Sequence, residues 1–173
     1  MKKLEQKQSL EYGQSLVTQA MHTVTKELKF EAAHRLVYGY PGKCQHNHGH
    51  SWVVFVTVGL RNEANPSGVL RTGLDTYGFV KDFGDFKPLK EWIDEQLDHA
   101  TIVSRDDDDF RMWLERNGQR QFVVTGNPTS ENLTKIIFEK AQELLEDERC
   151  RVVEVRIKET CTSEASYRVW SSR

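Results

Sequence analysis

The sequence has few cysteines, no long apolar run and no excess of positive charge, and each shortage argues against a class of protein. Its three cysteines are odd in number and scattered, which argues against a disulfide framework and favours a reducing, cytoplasmic setting. No apolar stretch reaches the roughly 20 residues of a membrane helix. A formal net charge of −2 without a basic stripe gives no indication of nucleic-acid binding.

The chain has 173 residues, a length that fits one domain with a sizeable core. Residues 1–20 are polar and lack the apolar centre of a secretory signal. We therefore expect an N-terminal extension over 1–20, to which we assign no function, and a single domain over 21–173.

The most informative pattern is the run Cys44-Gln-His-Asn-His48-Gly-His50, which precedes the apolar segment 51–60. If this segment is a strand that extends back into the histidines, His48 and His50 point to the same face. An earlier apolar row ends at His34, and two antiparallel neighbours would bring it beside that pair. Three imidazoles that leave a fourth position open are the ligand set of a catalytic zinc.

Simpler interpretations remain for each of these residues. A lone histidine is usually a surface residue or a satisfied core residue. His46 repeats the spacing to His48 and is an alternative ligand, although we interpret it as a loop residue. Cys44 alone would more often be an inert buried thiol than a base or nucleophile.

Periodicity predicts four strands and two helices in the order ββααββ. The predicted strands are 22–34, 51–60, 151–159 and 165–170, and the predicted helices are 86–97, capped by Asp85, and one starting after Thr129 or Ser130. These elements indicate an α+β fold, an antiparallel four-stranded sheet with two helices on one face. Because four strands leave open edges, a homo-oligomer whose sheets close into a barrel would pair them.

Three polar features have alternative interpretations. Glu159 ends the apolar row of Val153, Val155 and Ile157, so it either pairs with another group or reaches solvent. The pair Asp98-His99 follows a predicted helix, where it is often only a cap with a cation. The acidic run within the insertion 104–121 is better interpreted as a solvated loop than as a divalent-ion site, and an apolar pair there suggests a short helix.

Several separated motifs together resemble the 6-pyruvoyltetrahydropterin synthase family. They are Phe30-Glu-Ala-Ala-His34-Arg-Leu36, Cys44-x-x-x-His48-Gly-His50, Leu97-Asp98-His99, Asn127-Pro-Thr-Ser-Glu-Asn132 and the strand ending at Glu159. The resemblance spans about 23–170 and implies the tunnelling fold (T-fold) with subunits assembled into barrels, as a tetramer or hexamer. The three-residue spacer after Cys44 is similar to the bacterial branch that makes 6-carboxytetrahydropterin for queuosine and other 7-deazaguanines.

The resemblance also implies a reaction and a role for each site residue. The substrate would be 7,8-dihydroneopterin triphosphate, cleaved to 6-carboxytetrahydropterin, acetaldehyde and triphosphate, with Zn²⁺ as cofactor. By this resemblance, zinc would be bound by His34, His48 and His50, and Cys44 would be the general base. Asp98 and His99 would form a proton relay. Glu159 would hydrogen-bond to the edge of the pterin ring and take part in the relay. The alternatives are the pyruvoyl-forming branch, which typically has a longer spacer, and a non-catalytic pterin- or metal-binding homologue.

Overall fold

Two long strands form the centre of the molecule, whose computed structural model describes residues 22–61 and 73–169. The predicted extension over 1–20 lies outside these residues. The described strands are β1 Thr23–His34, β2 His48–Leu60, β3 Ala100–Ser104, β4 Gln121–Val124, β5 Cys150–Lys158 and β6 Glu164–Arg168. The described helices are α1 Lys87–Gln96, α2 Asp108–Arg116 and α3 Ser130–Leu145. Within this part of the chain the strands join in one sheet of order β4-β3-β1-β2-β5-β6.

The pairing of β1 with β2 sets the register of the whole sheet. Both segments are rich in β-branched and aromatic residues, which favour extended backbone. They pair antiparallel with Leu28 opposite Val54 and Phe30 opposite Trp52. These side chains share one face, are buried, and belong to the same core as residues of α1 and α3. The predicted extension of the second strand back into the histidines is confirmed, since β2 begins at His48.

The prediction of a purely antiparallel, four-stranded sheet was wrong. The strands β1, β2, β5 and β6 are antiparallel neighbours as expected, but β3 runs parallel to β1 and β4 runs parallel to β3. β3 and β4 each share only one residue with the segment 104–121 interpreted as an insertion, and α2 between them is the short helix that its apolar pair suggested. These strands have only five and four residues, too few for periodicity to separate a strand from a loop.

A β-bulge changes which residues of β5 face the core. Val155 and Ile157 are buried as predicted, but Val152 takes the place expected for Val153. The register shifts between Thr57 and Val58 of β2, so that Val153 is the extra residue on the bulged strand. A strict two-residue alternation cannot reveal this insertion, because the bulge breaks the alternation at that point.

Helix α1 begins one residue later than predicted, after a 3₁₀ turn over Phe83–Phe86. Asp82, rather than the predicted Asp85, caps this turn by accepting a hydrogen bond of 2.6 Å from the Gly84 amide. The apolar face predicted for the helix is buried and comprises Phe86, Leu89, Ile93 and Leu97. Among the described residues, no helix combines the length and the apolar character needed to cross a membrane.

Candidate metal centre

Three imidazoles converge at the end of the β1–β2 pair. The register places His34 opposite His48 and Ala32 opposite His50, so all three rings lie on the face that carries the apolar core. Their potential ligand atoms lie within 4.8 Å of one another. The predicted clustering of His34, His48 and His50 is therefore confirmed.

Hydrogen bonds to carbonyl groups fix two of these rings. His34 Nδ1 lies 2.7 Å from the Pro128 carbonyl oxygen, and His48 Nδ1 lies 2.8 Å from the carbonyl oxygen of His46. Because a carbonyl only accepts, both Nδ1 atoms carry the proton, and in the neutral rings Nε2 keeps its lone pair. The two Nε2 atoms face each other at 3.2 Å. Facing lone pairs repel, whereas a cation bound to both nitrogens would make the arrangement favourable.

Burial keeps the imidazoles in the form that binds metals. The His34 side chain is 2% exposed, and burial lowers its pKa although the Pro128 carbonyl and Glu159 act in the opposite direction. Burial likewise lowers the pKa of His50, against the effect of Glu159. In the described part of the chain, the buried Nε2 atom of His50 has no hydrogen-bond partner. A neutral ring with a buried, unsatisfied nitrogen fits a metal ligand.

Glu159 lies directly after β5 and brings a carboxylate to the same cluster. Its Oε1 atom is 3.2 Å from His34 Nε2 and 3.6 Å from His50 Nε2. Of the two interpretations left open by the sequence, contact with other groups rather than simple exposure is therefore correct, although a neutral His34 ring forms no ion pair with this carboxylate. A carboxylate here can complete a metal site or accept hydrogen bonds from the N–H groups of a bound ligand.

Trp52 packs against the imidazoles of His34 and His50, a contact that was not predicted from the sequence. The side chain is 0% exposed, and its ring centroid is 5.1 Å from that of His34 and 5.3 Å from that of His50. Its Nε1–H donates to the Ala32 carbonyl over 3.1 Å. On its other side the indole stacks with Phe30. The two-residue repeat of β2 could have predicted this contact, because Trp52 follows His50 on the same face of the strand.

Cys44 lies in a 3₁₀ turn over Lys43–Gln45, in the loop that joins β1 to β2. Its side chain is half-buried, and its carbonyl accepts a hydrogen bond of 2.7 Å from the Leu36 amide. In the described residues, the cluster of close ligand atoms consists of the three imidazoles and does not include the Cys44 sulfur. Within this part of the chain, the Cys44 thiol is therefore not one of the ligand atoms that converge in this cluster.

The Asp98-His99 pair is formed just beyond the end of α1. Asp98 Oδ1 accepts from the Glu31 amide at 2.8 Å, and Asp98 Oδ2 lies 2.8 Å from His99 Nδ1. The Glu31 amide lowers the pKa of Asp98, with a smaller contribution from His99 and in opposition to burial. His99 has φ +57°, a left-handed conformation that is strained for a residue with a side chain and is often found at functional sites. His99 and His50 both line an open cleft of about 410 Å³.

The motif Asn127-Pro-Thr-Ser-Glu-Asn132 hydrogen-bonds to His34 and to the loop after β1, contacts that its sequence did not indicate. Asn127 Oδ1 accepts from the Val37 amide at 2.7 Å, and the Pro128 carbonyl orients the His34 ring. Thr129 then caps α3, as predicted, by accepting from the Asn132 amide. The motif thus links the start of α3 to the end of β1, where His34 lies.

Comparison with known proteins places this arrangement in a family. The sequence pattern described as 6-pyruvoyl tetrahydropterin synthase matches residues 23–169. The chain belongs to this family. The resemblance inferred from the separated motifs is thereby confirmed, and the histidine cluster lies within the matched region.

Curated relatives in this family carry a more specific name. The chain is 34% identical over 142 residues to a 6-carboxy-5,6,7,8-tetrahydropterin synthase of Rickettsia bellii, covering 79% of this chain and 92% of the relative. A protein of the same name from Haemophilus influenzae is 30% identical over 151 residues, covering 85% of this chain and 99% of the relative.

Solved structures support the fold. A crystal structure of an uncharacterized protein from Wolinella succinogenes has a TM-score of 0.70 at 23% identity, covering 87% of this chain and 99% of that one. The 6-pyruvoyl tetrahydropterin synthase of Caenorhabditis elegans has a TM-score of 0.57 at 25% identity, covering 87% and 97% respectively. The α+β architecture is thus shared with the family.

Proposed function

We propose that this protein is a zinc-dependent 6-carboxytetrahydropterin synthase, a carbon–carbon lyase of 7-deazaguanine (queuosine) synthesis. The observation that carries the proposal is the pair of carbonyl-anchored imidazoles, His34 and His48, whose Nε2 atoms face each other at 3.2 Å beside His50. Two further facts support it. The curated relatives bear this enzyme's name, and three residues separate Cys44 from His48, as in this branch.

His34, His48 and His50 would hold the zinc. When bound, the metal supplies Lewis-acid polarisation of the hydroxyl groups on the substrate's side chain. The hydrogen bonds from the first two rings to backbone carbonyls hold their Nε2 atoms in position before the ion arrives. Because less side-chain freedom is lost on binding, such pre-orientation raises metal affinity.

Two groups of the chain would move protons. Cys44 acts as the general base and takes a proton from a hydroxyl of the substrate's side chain. His99 exchanges a proton with the substrate through its Nε2 atom, because its Nδ1 atom is engaged by Asp98 at 2.8 Å. The carboxylate of Asp98 is itself anchored by the Glu31 amide, which holds the imidazole in one orientation.

Glu159 would recognise the pterin ring. The ring presents an amino group beside a ring N–H, and a carboxylate matches this edge with two parallel charge-assisted hydrogen bonds. Since Glu159 Oε1 lies 3.2 Å from His34 Nε2, a pterin bound there would have its side chain next to the metal ligands. We also assign Glu159 a share in the proton relay.

The reaction balances without an external oxidant. The substrate is 7,8-dihydroneopterin triphosphate, and one water is consumed. The bond between the two hydroxyl-bearing side-chain carbons breaks, one carbon becoming the carboxylate and the other the aldehyde carbon of acetaldehyde. Their oxidation is balanced by reduction of the dihydropterin ring and of the terminal carbon, from which triphosphate leaves.

We also infer that the protein forms a homo-oligomer, a tetramer or a hexamer. Among the described strands, β3 covers the edge of β1 only over Ala32–His34, so residues 23–30 on that edge pair with no strand, and β6 is an end strand of the sheet. Unpaired edges of this length are usually paired or shielded in native proteins. Light scattering of the zinc-loaded protein tests this inference, and a monomer would contradict it.

Product identification tests the proposed reaction. Zinc-loaded protein is incubated with 7,8-dihydroneopterin triphosphate, and acetaldehyde and the pterin product are identified by mass spectrometry. We expect acetaldehyde and 6-carboxytetrahydropterin in equal amounts. A Cys44→Ala variant in the same zinc-loaded state serves as the control for contaminating activity.

Two other results would each contradict the proposal. Release of triphosphate with a pyruvoyl product and no acetaldehyde would identify the pyruvoyl-forming branch. Binding of the substrate without turnover, at full zinc occupancy, would indicate a non-catalytic pterin-binding homologue.

A further inference from the structure

The loop that carries Cys44 is attached to the β3–α2–β4 segment by a bidentate ion pair. Arg35 donates from Nε to Asp107 Oδ2 over 2.7 Å and from Nη2 to Asp107 Oδ1 over 2.6 Å. Asp107 is only 7% exposed, although it lies in an acidic run whose composition predicted a solvated loop. The ring of Phe110 lies under the guanidinium, 4.3 Å from its carbon atom. Breaking such a partly buried, stacked pair strongly destabilises its surroundings, because one charge is left without its partner.

A second attachment lies three residues further along the same loop. The hydroxyl of Tyr38 hydrogen-bonds to Ser104 Oγ at 3.2 Å and donates to the carboxylate of Asp106. Tyr38 has φ +59°, a strained left-handed conformation. Such strain persists only where surrounding contacts hold the backbone in place. The contacts that hold this residue come from the end of β3 and the turn that follows it.

The backbone transmits these attachments to Cys44. The amide of Leu36 donates to the Cys44 carbonyl over 2.7 Å. Leu36 lies between Arg35, which Asp107 holds, and Val37, whose amide donates to Asn127. The position of the Cys44 backbone therefore depends on a residue whose two neighbours are both fixed by other elements.

We propose that Asp107 is a positioning residue for Cys44, and that the β3–α2–β4 segment is a brace that holds the Cys44 loop through Arg35. The catalytic consequence rests on the proposed function, in which Cys44 is the general base. Asp107 does not touch the substrate in this scheme. The adjacent Asp108 differs, because its side chain is 78% exposed and, among the described residues, pairs only with Arg111 within α2. Asp107 and Asp108 therefore form a matched pair for a test.

The test compares Asp107→Asn with Asp108→Asn in the zinc-loaded full chain. Alkylation by iodoacetamide is followed for each cysteine separately by peptide mass spectrometry, and the exposed Cys161 is the internal reference. Releasing the loop should raise the alkylation rate of Cys44 about threefold or more, because local opening exposes its half-buried thiol. The rate of Cys161 should not change, and Asp108→Asn should behave as the unsubstituted protein.

Steady-state kinetics provide the second readout. A displaced base should lower kcat about tenfold or more in Asp107→Asn with little change in KM, because the contacts that bind the pterin remain. Asp107→Glu, which keeps the carboxylate, should recover part of kcat. If Asp107→Asn does not fold, Phe110→Leu replaces it, since it removes the ring under the guanidinium without leaving a charge unpaired.

The outcomes separate this proposal from the proposed function. Unchanged alkylation of Cys44 in Asp107→Asn, or an equal change in Asp108→Asn, overturns the brace. If the unsubstituted protein shows no turnover, the proposed function fails, whereas the alkylation rates still decide whether Asp107 holds the Cys44 loop.

Discussion

The row of side chains that β1 and β2 direct toward the helices is hydrocarbon in its middle and imidazole at one end. Leu28 pairs with Val54 in the hydrocarbon part, and His34 pairs with His48 at the other end, in one unbroken register. Trp52 lies at the boundary and contacts both kinds of side chain. The same backbone geometry therefore produces two regions with different physical properties.

The hydrocarbon region is satisfied by packing, whereas the imidazole region is not. At the histidine end, two Nε2 atoms face each other at 3.2 Å, and within the described residues the buried Nε2 of His50 has no hydrogen-bond partner. Unsatisfied buried polar groups lower stability rather than raise it. The hydrocarbon region therefore stabilises the fold and holds the histidine cluster in place. The arrangement of the three imidazoles becomes favourable only when a cation is bound.

Matched alanine substitutions in the two regions should have opposite effects. His48→Ala should abolish zinc binding and turnover, while the zinc-free protein stays at least as stable as the unsubstituted zinc-free protein. Leu28→Ala should cost about 2–5 kcal/mol of unfolding free energy through the cavity it leaves, yet retain zinc when folded. Metal analysis and urea unfolding measure both variants. Retained zinc in His48→Ala would point to His46 as the ligand and contradict the assignment.

Cys44→Ala should separate catalysis from metal binding within the histidine region. We expect kcat to fall by about 10²–10⁴, the usual contribution of a general base, while zinc stays bound at full stoichiometry. Cys161→Ala is the control, since that exposed thiol lies in the connection between β5 and β6. Loss of zinc from the Cys44 variant would make the thiol a ligand and would overturn its role as a base.

Removing zinc with a chelator should lower the Tm of the protein, and this loss should depend on an intact histidine cluster. A ligand present at 100 times its dissociation constant stabilises the folded state by about 2.7 kcal/mol, which corresponds to roughly 5–10 °C in Tm for a chain of this size. His48→Ala should show no response to the chelator. An equal fall in Tm for both proteins would mean that the stabilising metal binds elsewhere.

The histidine cluster was predictable because it depends on local register. The spacing of His48 and His50, and the apolar row that ends at His34, follow from the two-residue repeat of a strand. The short strands β3 and β4 were not predictable in this way. β3 pairs with β1 and β4 pairs with β3, both through long-range contacts, and strands of only five and four residues are too short to show a periodicity.

The groups that orient the site residues could not be predicted from the sequence either, because they also act through long-range contacts. The Pro128 carbonyl that orients His34 is 94 positions away in the chain, and a backbone carbonyl leaves no mark on the sequence. Asp107 is buried while Asp108 beside it is exposed, a difference that depends on Arg35 rather than on the acidic run itself. Such tertiary contacts override what composition alone suggests.

Trp52→Phe, at the boundary between the two regions, should lower the unfolding free energy by less than Leu28→Ala does. The change removes the hydrogen bond from Nε1 to the Ala32 carbonyl and part of the indole volume, so we expect a loss of about 1–3 kcal/mol in unfolding free energy. Zinc stoichiometry should be retained. Trp92→Phe, at the partly buried contact with Phe122, is the control. Loss of zinc in the Trp52 variant would show that the indole also holds the imidazoles in position.

Asp98→Ala should have the smallest effect on the unfolding free energy, and the pH dependence of that effect identifies its cause. The Glu31 amide, together with His99, lowers the pKa of Asp98 below its usual 3.8, so the folded state favours the ionised carboxylate. The stabilisation is therefore fully present above pH 3.8 and is lost as the pH falls through the lower pKa of the folded state. In urea unfolding of zinc-free protein, the stability gap between the unsubstituted protein and Asp98→Ala should close in that range. Glu95→Ala, on the exposed side of α1, serves as the control, and a gap for Asp98→Ala that does not vary with pH would contradict the hydrogen-bonded carboxylate.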